Sequence, residues 1–382
     1  MSYVSTYTYI PCNEDALNTK SYKYNDENYD IIRYDKSKIT NDNINTYGLY
    51  RSLVCKGKKI LTYSPPKSYP YDLFTTMFNS SQCVAEEYVE GTMINMFYDN
   101  DNNEWELATR SSVGGKVNYF NRNNMTFRQM FLETCNSSNL EFDMLDKNLS
   151  YSFVMQHPNN RIVIPFTDMK LYLVACYKIY NETVAGHDAW TIDVIDINGI
   201  KEGLNKAKIY YPKQYTFELF DELVNIVNTY ENYTNVGIVI HNPFNGTRTK
   251  IRNEKYEYVR KLRGNQPKLQ YRYLELRVNK QTDEYLKYFP EDNNNFRSYE
   301  TEIINYTTLL YNYYVNCFIH KQQLLQYYPY EYKLNMYELH GKYINTLKPN
   351  NQSISMKYVI DYINMLPPAK LMYAINYNKR NQ

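Results

Sequence analysis

The 382-residue sequence is short of several things, and each shortage closes a class of function. No Cys-x-x-Cys pair occurs among its six cysteines, Cys12, Cys55, Cys83, Cys135, Cys176 and Cys317, so a structural zinc site is not expected. Most of them sit in apolar runs and read as small buried hydrophobes of a reducing compartment. No Gly-x-x-x-x-Gly-Lys-Ser/Thr phosphate loop is present, and Gly114-Gly115 reads as a turn. No run approaches 18 uninterrupted apolar residues, and the N-terminus lacks the basic region and apolar core of a secretion signal. The expectation is a cytoplasmic protein with no membrane partner. Net charge is only +2, so any nucleic-acid site must be a local cluster.

Tyrosine, by contrast, is abundant at 45 copies, with Asn, Lys and Ile also common. All four have AT-rich codons, and genome bias accounts for many of them; a tyrosine platform for stacking bases is the alternative. Length suggests two or three domains, and 43% hydrophobic with 22% charged residues suits a globular chain.

Residues 1–45 are polar, rich in Tyr, Asn and Asp, and lack periodicity, which predicts a loosely packed lead-in. A hairpin is expected at 49–63, turning at Lys56-Gly57-Lys58 and broken by Pro65-Pro66. Strands follow at 93–98, 105–110, 149–155, 158–165, 171–180, 191–197 and 235–241, the last with a hairpin partner at 247–251. Helical spacing covers 125–147 and 217–230, and it dominates from about 256 onward. This predicts an α+β domain at 46–255 followed by an all-α domain at 256–382. The apolar end, Leu366 to Tyr373, is expected to dock on the helical part.

Between two strand-like runs lies Glu-Tyr-Val-Glu-Gly-Thr at 87–92. Around it stand, in order, Tyr-Arg-Ser-Leu-Val with Arg51, Ser-Pro-Pro-Lys with Lys67, Ala-Thr-Arg-Ser-Ser with Arg110, Ser-Phe-Val-Met-Gln-His-Pro-Asn-Asn-Arg-Ile-Val at 152–163, Asn-Val-Gly-Ile-Val-Ile at 235–240, and Thr-Lys-Ile-Arg at 249–252. In order and spacing, residues 47–256 resemble the adenylyltransferase domain of phage-type RNA ligases, within the covalent nucleotidyltransferase superfamily. The resemblance implies an ATP-grasp-like domain of antiparallel sheets flanking a groove. With the AT-rich codon bias, it would suit a large DNA virus protein acting in the host cytoplasm.

Measured against that family, the chemistry is missing. The nucleophilic lysine is Tyr88, a phenol with an ordinary pKa near ~10, and no activating base for it is visible in the sequence. The family's Asp is Glu90, followed by Gly91. Its carboxylates beyond that are Val154 and Val236. Basic positions persist at Arg51, Lys67, Arg110, Lys250 and Arg252, where the resemblance implies triphosphate and RNA-phosphate contacts. Lys250 and Arg252 alternate on a strand and so share a face.

The reading is a catalytically inactive RNA-ligase-like protein with no cofactor and no metal. It would bind RNA at a 5′ end or cap-like structure, or scaffold an RNA-processing or translation complex. The alternatives are an active ligase or nucleotidyltransferase with a relocated nucleophile, Lys67 being the basic candidate, and a protein–protein module with no nucleic-acid ligand. His157 and His241 read as structural, and His187-Asp188 as a loop. The basic stretch Lys255, Arg260, Lys261, Arg263, Lys268, Arg272 and Arg277, with Tyr256, Tyr258, Tyr271 and Tyr273 interleaved, is either a charged linking helix or a stacking surface for single strands.

Overall fold

The computed structural model describes residues 5–9, 14–119, 124–184 and 187–380. It divides into two compact units, Met1–Arg263 and Gly264–Gln382. The first is a mixed α/β unit with antiparallel sheets and the second is helical. The helix Glu254–Arg263 runs across the expected boundary at 255/256 and closes the first unit.

Among the described residues, fourteen strands build the first unit. They are β1 (Ser5–Tyr9), β2 (Leu17–Tyr24), β3 (Glu27–Tyr34), β4 (Leu53–Lys56), β5 (Lys59–Thr62), β6 (Val84–Glu87) and β7 (Thr92–Asp99). They continue as β8 (Glu104–Ala108), β9 (Leu149–Gln156), β10 (Lys170–Val184), β11 (His187–Val194), β12 (Gln214–Tyr215), β13 (Gly237–His241) and β14 (Arg248–Arg252). Three antiparallel sheets result, ordered β1-β11-β10-β9-β7-β8, β12-β6-β13-β14 and β2-β3-β4-β5.

Period-two alternation decides what each sheet buries. On β9, Tyr151, Phe153 and Met155 point into a core with Ile94, Met96, Leu171 and Phe131, while Val154 points the other way. In the β12-β6-β13-β14 sheet, Ala85, Ile238, Ile240 and Ile251 pack beneath the helix Phe220–Asn228 through its Leu223 and Val227. The intervening residues Glu86, Val239, His241, Arg248 and Lys250 therefore face the opposite side.

Several expectations need correction. Residues 17–34, within the supposed loose lead-in, form β2 and β3 and pair with β4. Their inward residues are Tyr29 and Ile31, buried with Phe97, Ala108 and Val113, and tyrosine in place of aliphatics disguises the alternation. The helix expected over 125–147 stops at Ser137; Asn139, at φ 51, turns the chain out of it. Residues 158–165 form no strand. His187-Asp188, expected in a loop, lies with its backbone on β11.

In the second unit, tyrosine does much of the packing. Tyr285 stacks on Phe289 and Phe296, and Tyr306 stacks on Tyr332 at 4.7 Å between ring centroids. Polar ends are satisfied: Tyr362 donates to Asn335 at 2.8 Å, and Asn335 donates to Tyr306 at 2.7 Å. The apolar end docks as expected, burying Leu371 and Ala374, with Asn376 donating to Gln270 at 2.6 Å.

Gly237 opens β13 at φ 142, where an added Cβ would stand 2.0 Å from the Ile251 carbonyl oxygen of the paired strand. Gly237→Ala should destabilise the first unit by about 2 kcal/mol, read as a lower urea midpoint with unchanged slope. An unchanged midpoint would show that the strand pair relaxes around the methyl group.

Candidate phosphate-binding groove

The charged face of the β12-β6-β13-β14 sheet forms one wall of a cavity of about 650 Å³. Glu86, Tyr88, His241, Arg248 and Lys250 line this wall. The other wall comes from the larger sheet and is apolar, through Met93, Val154, Val174 and Val194. A groove apolar on one side and charged on the other, with Arg248 and Lys250 beside Glu86, suits a ligand with a flat apolar part and a polar part.

Register explains why the charges meet. Glu86 pairs with Val239, which pairs with Lys250, so these three form one row across the sheet. His241 stands between Val84 and Arg248 in the next row. In the third, the Tyr88 N–H donates to the Gly237 carbonyl at 3.0 Å, and Gly237 pairs with Arg252. Because the middle residue of this row is glycine, no side chain separates Tyr88 from Arg252. Arg252 Nη2 donates to the Tyr88 hydroxyl at 3.4 Å, and its Cζ lies 5.6 Å from the ring centroid. Lys250 Nζ lies 5.7 Å from the same centroid. These are cation–π distances.

Electrostatics follow from this crowding. Burial alone would push the Tyr88 phenol up, but Lys250, Arg252 and Arg51 outweigh it and hold the group down at about 8. Lys250 is lowered to about 8 as well, first by burial and then by Arg252, Arg51 and Arg248, with Tyr88 opposing. The two behave as one coupled pair. His241 is held below its usual value by burial and Arg248, against Glu86.

Glu90 and Gly91 serve the turn after Tyr88. The Glu90 carboxylate accepts the Val163 N–H at 2.6 Å and the Ile164 N–H at 3.1 Å, tying down the irregular 158–165 segment. Burial raises its pKa to about 7, against those two bonds and Arg161. Gly91, at φ 151, lies so close to β9 that a Cβ would stand 2.5 Å from the Met155 oxygen and 2.7 Å from Val154 Cγ1. Val154 and Val236 are both buried. The positions at which the resemblance implies metal-organising carboxylates therefore offer no oxygen ligand, and these residues do not fit a divalent metal.

Of the basic positions singled out in the sequence, Arg51, Lys250 and Arg252 come together at Tyr88. Arg110 is exposed, within electrostatic reach of Arg51 and Arg33. Lys67 is not among the residues lining the groove, and burial lowers its pKa. Sequence reading missed Arg248, Glu86 and His241, although the alternation of Arg248 with Lys250 was available. In the basic stretch that follows, Arg260 pairs with Glu257, Arg272 with Glu275, and Lys255 donates to the Tyr230 carbonyl. Tyr256 and Tyr273 are buried, so they give no stacking surface. His157 accepts the Asn159 N–H and contacts Glu133, a structural arrangement.

A phenol lowered in the fold binds fewer protons than in the unfolded chain between about 8 and ~10. Folding stability contributed by the pair should therefore rise with pH across that window. The stability difference between wild type and Tyr88→Phe, from urea unfolding at pH 7.5, 8.5 and 9.5, should widen with pH. A constant difference would show an ordinary tyrosine.

Neither a protein-family model nor a curated protein matches the sequence. Solved structures with a similar course of chain include RNA and DNA ligases. They include an archaeal ATP-dependent RNA ligase, 11% identical over 74% of this chain and 68% of that one, with a TM-score of 0.42. A Naegleria gruberi RNA ligase solved with ATP and Mn is 10% identical over 47% of this chain and 51% of its own, at 0.33. A protein assigned as an ATP-dependent DNA ligase from Aquifex aeolicus is 11% identical over 86% and 77%, at 0.36. Likeness this distant assigns no role to any residue here.

Proposed function

We propose that the groove of the first unit binds the phosphate end of an RNA or nucleotide, in a chain that has lost the lysyl-nucleotide chemistry of ligases. The supporting observation is the convergence of Lys250, Arg252 and Arg51 on Tyr88, the position at which a ligase would carry lysine. Arg51 and Lys250 line the cavity, while Arg252 stands beside Tyr88 and is held by Glu257; cations at a groove offer charge-assisted contacts to phosphate oxygens, and arginine can make them in pairs. The apolar wall at Met93, Val154 and Val174 would take a base or sugar face. A lysine relocated to position 67 is disfavoured, because Lys67 does not line the groove.

Binding of a 5′-phosphorylated single-stranded RNA, followed by fluorescence anisotropy across salt concentrations, tests this reading. Lys250→Glu with Arg252→Glu should weaken binding at least tenfold and flatten the salt dependence by roughly one unit per cation removed. Unchanged affinity and unchanged slope would remove RNA from the account and leave a protein-docking role.

A further inference from the structure

The second unit contains a helix, Tyr330–Lys342, with apolar residues on two opposite faces. One face buries Tyr332, Met336 and Leu339, together with Asn335, inside the unit. The other presents Tyr330, Leu334 and Tyr337, which are 64, 62 and 68% exposed. Gly341 continues their line, so the steps are four, three and four residues, the spacing of a seam between two helices that pack lengthwise. Glycine inside a helix is destabilising relative to alanine. A Cβ added at Gly341 would meet nothing within 4 Å, so among the described residues no packing contact requires glycine there. Tyr327 before the helix and Ile344 after it are exposed as well. A helix that is apolar on both sides is expected to be covered on both.

We infer that this face is where two copies of the chain pair, helix against helix and in parallel, about a two-fold axis. The charges beside the seam select both the occupant and its direction. Lys333 and Glu338 stand on opposite flanks of the seam. In a parallel two-fold pair, each flank meets the opposite flank of the second copy, so Lys333 of each copy meets Glu338 of the other. Reversing one helix would bring equal flanks together and set Glu338 against Glu331, a like-charge pair. Lys333 donates to the Gln326 carbonyl at 2.7 Å and keeps further N–H bonds to give. Glu338 accepts the Tyr362 hydroxyl at 2.7 Å through one oxygen, which leaves the other.

Size and shape agree with this pairing. The exposed parts of Tyr327, Tyr330, Leu334, Tyr337 and Ile344 come to about 650 Å² per copy, or ~1,300 Å² over two, within the range of specific interfaces. An apolar patch of that extent is more than a typical monomer leaves to water. In the parallel pair the two Gly341 positions meet across the axis, where the missing side chains let the backbones approach.

Sedimentation velocity on the full-length chain tests the pairing. The chain should be dimeric at micromolar concentration and dissociate on dilution. Leu334→Glu with Tyr337→Glu should weaken the dimer roughly tenfold or more. Lys333→Glu alone should also weaken it, and Lys333→Glu combined with Glu338→Lys should restore it. Tyr337→Cys should join two copies through a disulfide on mild oxidation, because this position meets itself in the parallel arrangement. A chain that stays monomeric throughout the micromolar range overturns the inference. So does a dimer that Leu334→Glu with Tyr337→Glu leaves intact in a folded chain. A charge exchange that fails to restore the dimer, or a Tyr337→Cys chain that does not cross-link, overturns the parallel seam. Where the double glutamate variant folds poorly, the charge exchange and the cross-link decide.

Discussion

Positive charge on one face of one short strand is the constraint around which the first unit is arranged. Arg248, Lys250 and Arg252 alternate outward on β14, about 7 Å apart by strand geometry. At that spacing and an effective dielectric of ~20, each neighbouring pair repels by about 2 kcal/mol. The surrounding residues answer that repulsion. Glu257 takes Arg252, the Tyr88 phenol is drawn toward its ionised form, and Lys250 is pulled toward neutrality. On the reading proposed above, what remains of that charge is available to an anion that arrives from outside.

The opposite wall shows the same division of labour from the apolar side. The alternation that sends Tyr151, Phe153 and Met155 into the main core leaves Val154 facing the groove, against the turn at Gly91. Glu86 stands in the same cross-sheet row as Lys250, and Glu257 holds Arg252, so acids lie beside two of the cations on their own side, while valine at 154 adds none from the opposite wall.

Much of this was legible in the sequence, for identifiable reasons. Ordered motifs located the groove because β6, β9, β13 and β14 each bring one short segment to it, and the alternation of Lys250 with Arg252 fixed a shared face. The sheet of β2 and β3 was not legible, because its inward positions are tyrosines among Asn and Asp, whose composition resembles a loop. The state of Tyr88 was hidden for another reason. Its environment is set by residues 37 positions upstream and more than 160 downstream, the latter brought to it by cross-strand register and Arg51 by the bend before β4. The structural task of Glu90, holding the Val163 and Ile164 N–H groups, was equally non-local.

The glycine between Tyr88 and Arg252 bears on how such a site can change over time. Because Gly237 leaves that crossing open, whatever occupies position 88 meets Arg252 and Lys250 directly. A lysine placed there would add another cation beside Lys250, Arg252 and Arg51, opposite a valine at 154 that supplies no balancing charge. A single Tyr88→Lys change therefore adds repulsion in one step, so the open crossing makes the identity of residue 88 answer to its two neighbours on β14 before it answers to anything else.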